Sequence, residues 1–104
     1  MAGKTGPVLT PGQLVKSKAG HDRGDIFIVV GIQDDQYVFI ADGDKRRIEN
    51  PKKKKNRHLQ PYNRYSRVIA DMIEHGSEIS NMLISGELER SGAIELIAAD
   101  QEEM

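Results

Sequence analysis

Two β-branched runs, DIFIVVGI (Asp25–Ile32) and QYVFIA (Gln36–Ala41), lie a few residues apart near the middle of a 104-residue chain. Strands favour such residues. A chain this short holds one small core, so the two runs must share it. Asp34 and Asp35 between them suit a turn. Asp42-Gly43 after the second is a two-residue hairpin signal, because both positions of a type I′ turn need positive φ. The pattern predicts a short strand over Gln13–Lys18, the two runs as strands, a fourth, polar strand over DKRRIE (Asp44–Glu49), and a fifth short one at His58 and Leu59. Alternation puts Ile26, Ile28, Val30, Val38 and Ile40 on one face and Phe27, Val29, Tyr37 and Phe39 on the other.

After Pro61 the period becomes helical. Val68, Ile69, Met72 and Ile73 form an apolar stripe, and Gly76 suits the position just past a helix end. Ser77 is a candidate cap for a second helix carrying Ile79, Met82 and Leu83, with Gly86 weakening its middle. SGAIELIAADQEEM predicts a third, short helix with an acidic tail. These stripes are expected to pack on an apolar face of the sheet. The chain divides into a flexible N-terminus (1–10), a β domain (11–60) and a helical extension (61–104).

Charge is segregated. The formal net charge is −1, yet residues 45–67 carry ten basic side chains and one acidic, and residues 68–104 carry one basic and nine acidic. Such asymmetry says more about partners than the total does. The run KRRIENPKKKKNRH (Lys45–His58) concentrates the positive charge. Lysines present flexible point charges and arginines planar forks that match phosphate oxygens. Neutralising a line of phosphates releases condensed counterions, which favours binding to nucleic acid. A solvated loop, or internal pairing with the acidic C-terminal segment, would account for the same run.

Several classes are disfavoured. With no cysteine there is no disulfide framework, thiolate zinc site or cysteine nucleophile. His21, His58 and His75 have no partners at catalytic or metal-binding spacing, so an enzyme, a metal and a cofactor are not expected. GKT at residues 3–5 lacks the strand, the earlier glycine and the helix of a phosphate-binding loop. No apolar run approaches bilayer length, and the first residues lack the apolar core of a signal peptide, so the expected location is the cytoplasm.

The stretch PGQLVKSKAGHDRGDIFIVV resembles the KOW motif. Gly12 opens its first strand, Val15 is a core position, Gly20 and Gly24 bracket the loop GHDRG, and Ile28 and Val30 are core positions of the second strand. Phe27 stands where many such motifs have a further glycine. The continuation IADGDKRRIENPKKKKNRHL is similar to short bacterial KOW-domain RNA-binding proteins, which resemble KOW-type large-subunit ribosomal proteins. The resemblance covers roughly residues 11–60. It implies a small SH3-like β-barrel, making the chain α+β with C-terminal helices packed on the barrel, and it implies an RNA partner, ribosomal RNA on the ribosome.

The residues expected to touch RNA are Lys16, Lys18, His21 and Arg23 on the first loop, Lys45, Arg46 and Arg47, Lys52, Lys53, Lys54 and Lys55, and Arg57 and His58. Gly20 and Gly24 would let backbone amides approach phosphates, and Gly12, Gly20, Gly24 and Gly43 are expected to be structural. Phe27, Tyr37 and Phe39 are candidates for stacking on bases, although strand aromatics more often sit under a helix. The alternative function is a protein-interaction module of the same barrel class, binding a ribosomal or transcription protein.

Overall fold

The computed structural model describes residues 6–92. Its elements are β1 (Gln13–Ser17), β2 (Ile26–Ile32), β3 (Tyr37–Ala41), β4 (Lys52–Lys55), β5 (Leu59–Tyr65), α1 (Arg67–Glu74) and α2 (Asn81–Arg90). The strands form one antiparallel sheet in the order β4-β3-β2-β1-β5. The third helix expected over SGAIELIAADQEEM falls almost wholly outside the described residues.

β4 and β5 form opposite edges of the sheet, yet only a 3₁₀ turn, Asn56–His58, joins them. In a flat sheet those edges would stand about 19 Å apart, at ~4.8 Å per strand. Three residues of 3₁₀ helix rise only about 6 Å. The sheet is therefore strongly coiled.

Coiling gives the sheet two buried faces. Val15, Phe27, Val29, Val38, Ile40 and Leu59 fill the first, with Leu9 from the N-terminal segment. Leu14, Ile26, Ile28 and Ala41 form the second, covered by Ile69 of α1 and Ile84 and Leu88 of α2. Burying each of those helix side chains is worth roughly 1.5–3 kcal/mol relative to exposure, which holds two short helices in place. The expected alternation holds along β2 but takes the wrong phase on β3. Val29 pairs with Ile40 and Ile28 with Ala41. Directly paired residues share a face, so Val38 and Ile40 join Phe27 and Val29 rather than Ile28.

Residues 6–10 lie against the sheet. Leu9 is buried, and Asn56 Nδ2 donates to Pro7 O at 3.1 Å. At the other end β5 runs to Tyr65, five residues past the expected boundary at 60/61. Pro61 is accommodated because β5 is an edge strand, where a missing N–H breaks no ladder on the outer side.

The helices begin at serine caps. Ser66 Oγ accepts from Ile69 N and Ser80 Oγ from Leu83 N, each at 3.1 Å. The second cap is Ser80, not the expected Ser77. Ser77 instead completes the end of α1, donating to Met72 O at 2.8 Å while Gly76 donates to Ile73 O. Met82, expected on the packed side of α2, is 83% exposed, and Val68 of α1 also faces outward.

Two glycines seat these helices. A Cβ on Gly12 would fall 2.6 Å from Ser66 O and 2.9 Å from Ala70 Cβ, at the start of α1. One on Gly43 would fall 2.6 Å from Ser85 Oγ, in the first turns of α2. Both residues have positive φ, +87° and +81°, so a side chain is excluded by conformation as well as by space.

Candidate nucleic-acid interface

The lysine run, Lys52–Lys55, is a strand and not a basic loop. Strand geometry sends alternate side chains to opposite faces. Lys52 pairs with Ile40 and Lys54 with Val38, on the buried inner face; Lys53 pairs with Phe39 and Lys55 with Tyr37, on the outer one. The four lysines thus form two pairs with different environments.

The inner pair is neutralised within the protein. Lys54 Nζ donates to Ala19 O at 2.8 Å and to Asp22 Oδ1 at 3.0 Å. Lys52 Nζ lies 3.0 Å from Asp22 Oδ2, an ion pair without good hydrogen-bond alignment. Ser17 Oγ also donates to Asp22 Oδ1, at 2.7 Å. Burial of Asp22 works against its charge. Hydrogen bonds from Ser17 and Lys54, with the Lys52 ammonium beside it, outweigh that and hold its carboxyl far below the usual range. Lys54, 6% exposed, is therefore removed from the set of available cations, and Lys52 is largely committed.

The strand expected over Asp44–Glu49 is replaced by a tight turn. Asp42 Oδ1 accepts from both Asp44 N and Arg46 N at 2.9 Å, while Asp42 N and Gly43 N donate to Arg46 O. This side-chain competition for backbone donors closes the turn before a ladder can form. Ile48 N then donates to Asn81 Oδ1 at 2.7 Å, tying the segment to the start of α2. Asn81 Nδ2 also donates to Glu49 Oε1, and that bond, followed by the Arg47 contact, lowers the Glu49 pKa. Lys45 and Arg47 make exposed ion pairs with Asp25 (3.2 Å) and Glu49 (3.1 Å). Such pairs contribute little and exchange readily for a phosphate.

The β1–β2 loop presents a second basic surface. Lys16, Lys18 and Arg23 line a groove with Ser17, Gly24 and Gln60. His21, Lys45, Arg46 and Lys52 line a separate cleft with Asp22, Asp25 and Phe27. The expected role for loop amides is corrected in part: Gly24 N donates to Ser17 O, Arg23 N to Gly20 O and Asp25 N to Asp22 O, so these three are internally engaged.

The 3₁₀ turn joins this surface. Arg57 is exposed and His58 half-buried. Desolvation lowers the His58 pKa, and the charges of Arg57, Lys54, Lys55 and Lys18 lower it further. Lys18 N donates to His58 O at 2.8 Å, bringing loop and turn together. Three stretches distant in sequence therefore surround the β1–β2 loop.

Of the aromatic candidates, Phe27 is 2% exposed and out of reach. Tyr37 and Phe39 are half-buried on the outer face. Lys53 Nζ stands 4.7 Å from the Tyr37 ring centroid and Lys55 Nζ 6.0 Å. The sequence reading missed this pairing, together with Asp22 as the counter-ion of the lysine strand. Period-two spacing within KKKK was the available signal for both.

No protein-family model matches the chain, and no curated protein matches it. Among the described residues, no cluster of three or more His, Cys, Asp or Glu is placed to hold a metal ion, and no helix is long and apolar enough to cross a membrane.

Proposed function

We propose that the protein is an RNA-binding module that engages structured RNA on the ribosome, in the cytoplasm, through the basic surface around its β1–β2 loop. The observation that carries this reading is the convergence of Lys18 and Arg23 with Lys45 and Arg46 around one loop, and of Arg57 and Lys55 beside His58, which a backbone bond from Lys18 joins to that loop. Chain segments bearing surplus positive charge have been folded into neighbouring positions, while most of the surplus acid lies after residue 67. Such a surface suits a polyanion. We further propose that the coiled sheet is an SH3-like barrel of the KOW type. The strand order, the three-residue link between its edges and the resemblance of residues 11–60 support that reading.

The test is the salt dependence of binding to a folded RNA. A variant with Lys18, Arg23, Lys45 and Arg57 all changed to Gln should lower the slope of log K against log salt by about 3, at ~0.7–0.9 per phosphate contact. Its melting temperature should stay near that of the wild type, because these side chains are at the surface. An unchanged slope would refute the phosphate contacts. Co-purification of a protein partner that survives ribonuclease would favour the protein-interaction alternative.

A further inference from the structure

Residues Tyr37, Phe39 and Ala41 alternate along one side of β3, the side on which α1 and α2 pack. The helices cover Ala41 together with Leu14, Ile26 and Ile28. Tyr37 and Phe39 lie beyond that cover and remain half-exposed. Their direct cross-strand partners are Lys55 and Lys53. The uncovered end of the sheet therefore holds two aromatic rings flanked by two cations, on paired backbone.

The platform is rigid. Tyr37 N donates to Asp34 Oδ1 at 2.9 Å, and Tyr37 O accepts from Gln33 N at 3.0 Å. Phe39 lies across Gly31 on β2, close enough that a Cβ there would be in ordinary van der Waals contact with the ring, 3.5 Å from Phe39 Cδ2. Phe39 and Tyr37 are both half-buried, and Tyr37 is the ring that the two ammonium groups approach. The Lys53 charge also acts on Asp34, whose carboxylate accepts from the Gln36 and Tyr37 backbone.

We infer that Tyr37, with Lys53 and Lys55, is a stacking site for an unpaired RNA base. The inference rests on the RNA-binding reading and specifies what part of the RNA this face takes. An aromatic face attracts either a cation or the flat face of a base. In the free protein the Lys53 ammonium occupies the ring. An incoming base takes the ring, and the ammonium moves to the adjoining phosphate, so one displacement makes two contacts. A paired duplex cannot use the ring, because its base faces are already stacked on one another. Charge complementarity favours RNA over an apolar peptide here, since two ammonium groups border the Tyr37 ring.

The experiment compares an unstructured oligouridylate with a fully paired RNA duplex of equal length, using the full chain. The protein has no tryptophan, so Tyr37→Trp introduces a unique fluorophore at the site. Its emission should be quenched by the oligouridylate and not by the duplex. Tyr37→Leu should weaken oligouridylate binding about 5- to 150-fold, the effect of losing one stacked base, and leave duplex binding unchanged. Absence of quenching, or equal loss on both RNAs, overturns the stacking site while leaving the basic-surface reading intact. Failure of the wild type to bind either RNA overturns both. Should Tyr37→Leu fail to fold, the quenching measurement on Tyr37→Trp decides alone.

Discussion

Lys54 extends from the edge strand β4 across the inner face of the sheet, placing its ammonium 3.0 Å from the Asp22 carboxylate in the β1–β2 loop. It bonds the Ala19 carbonyl from the same position. A loop with two glycines is thereby fastened to the strand that ends the sheet, and the lysine serves the fold first.

Removing one partner of this pair leaves the other charge in a poorly solvated place. Lys54→Gln should destabilise the protein by about 3 kcal/mol, the lower end of the range for a broken buried pair, because Asp22 keeps Lys52. Lys53→Gln, one residue away and outward, should cost less than ~0.5 kcal/mol. Urea denaturation of the two variants checks the contrast, and equal midpoints would mean that Lys54 contributes no more than a surface lysine.

The same contacts impose an acid limit. Asp22 and Glu87 both have folded pKa values below their ordinary ones of 3.8 and 4.5. For Glu87 the largest cause is the hydrogen bond from Ser66 Oγ, at 2.6 Å, supported by Arg90. The unfolded chain therefore binds protons first on acidification. The stabilisation is complete above both ordinary values and declines as pH falls from about 5 toward 3. Asp22→Asn should show a flatter decline over that interval in urea midpoints. A decline identical to that of the wild type would exclude Asp22 as a source.

Two glycine substitutions should act in opposite directions. Gly43→Ala forces a Cβ against Ser85 at positive φ, and should cost about 1–3 kcal/mol by displacing α2 or straining the turn. Gly86→Ala lies within α2, where the nearest atom to a new Cβ is the flexible Arg90 tip at 3.4 Å. It should stabilise by roughly 0.5–1 kcal/mol through helix propensity. Thermal melts of the two variants should move to either side of the wild type.

Asn81 holds the basic 45–50 segment to α2 through the Ile48 N–H. Asn81→Ala should cost about 1 kcal/mol for the lost bonds. Its sharper signature is local: trypsin should cut at Arg46 and Arg47 sooner than in the wild type, at equal global stability margin. Unchanged cleavage kinetics would place control of that segment in the Asp42 turn alone.

Much of this fold can be read in the sequence, and the failures share a cause. β1, β2 and β3 are visible because Val, Ile and Phe cluster between turn residues, and α1 because its stripe and Gly76 agree. β4 is invisible because lysine is a poor strand former; partners outside the segment, Val38 on β3 and Asp22 in the loop, supply its reason to be extended. β5 is masked by Pro61, which reads as a break unless the strand is known to be an edge. The phase of β3 depends on its register with β2, a relation between strands that neither segment encodes alone. At the site, position in the sequence shows which cations gather, whereas strand alternation decides that Lys53 and Lys55 face outward while Lys54 does not.

The short link between opposite edges also sets the order in which the chain can mature. β2 and β3 form a local hairpin, but β1 meets β5 only through pairs such as Val15 with Pro61 and Gln13 with Tyr65, roughly fifty residues apart in sequence. Closing so long a span costs entropy that local pairings do not, and contacts of this kind slow folding. During synthesis β1 therefore keeps one open edge until Tyr65 has emerged, and α1, whose cap at Ser66 follows one residue later and bonds Gly12 O, can seat only after that edge is sealed.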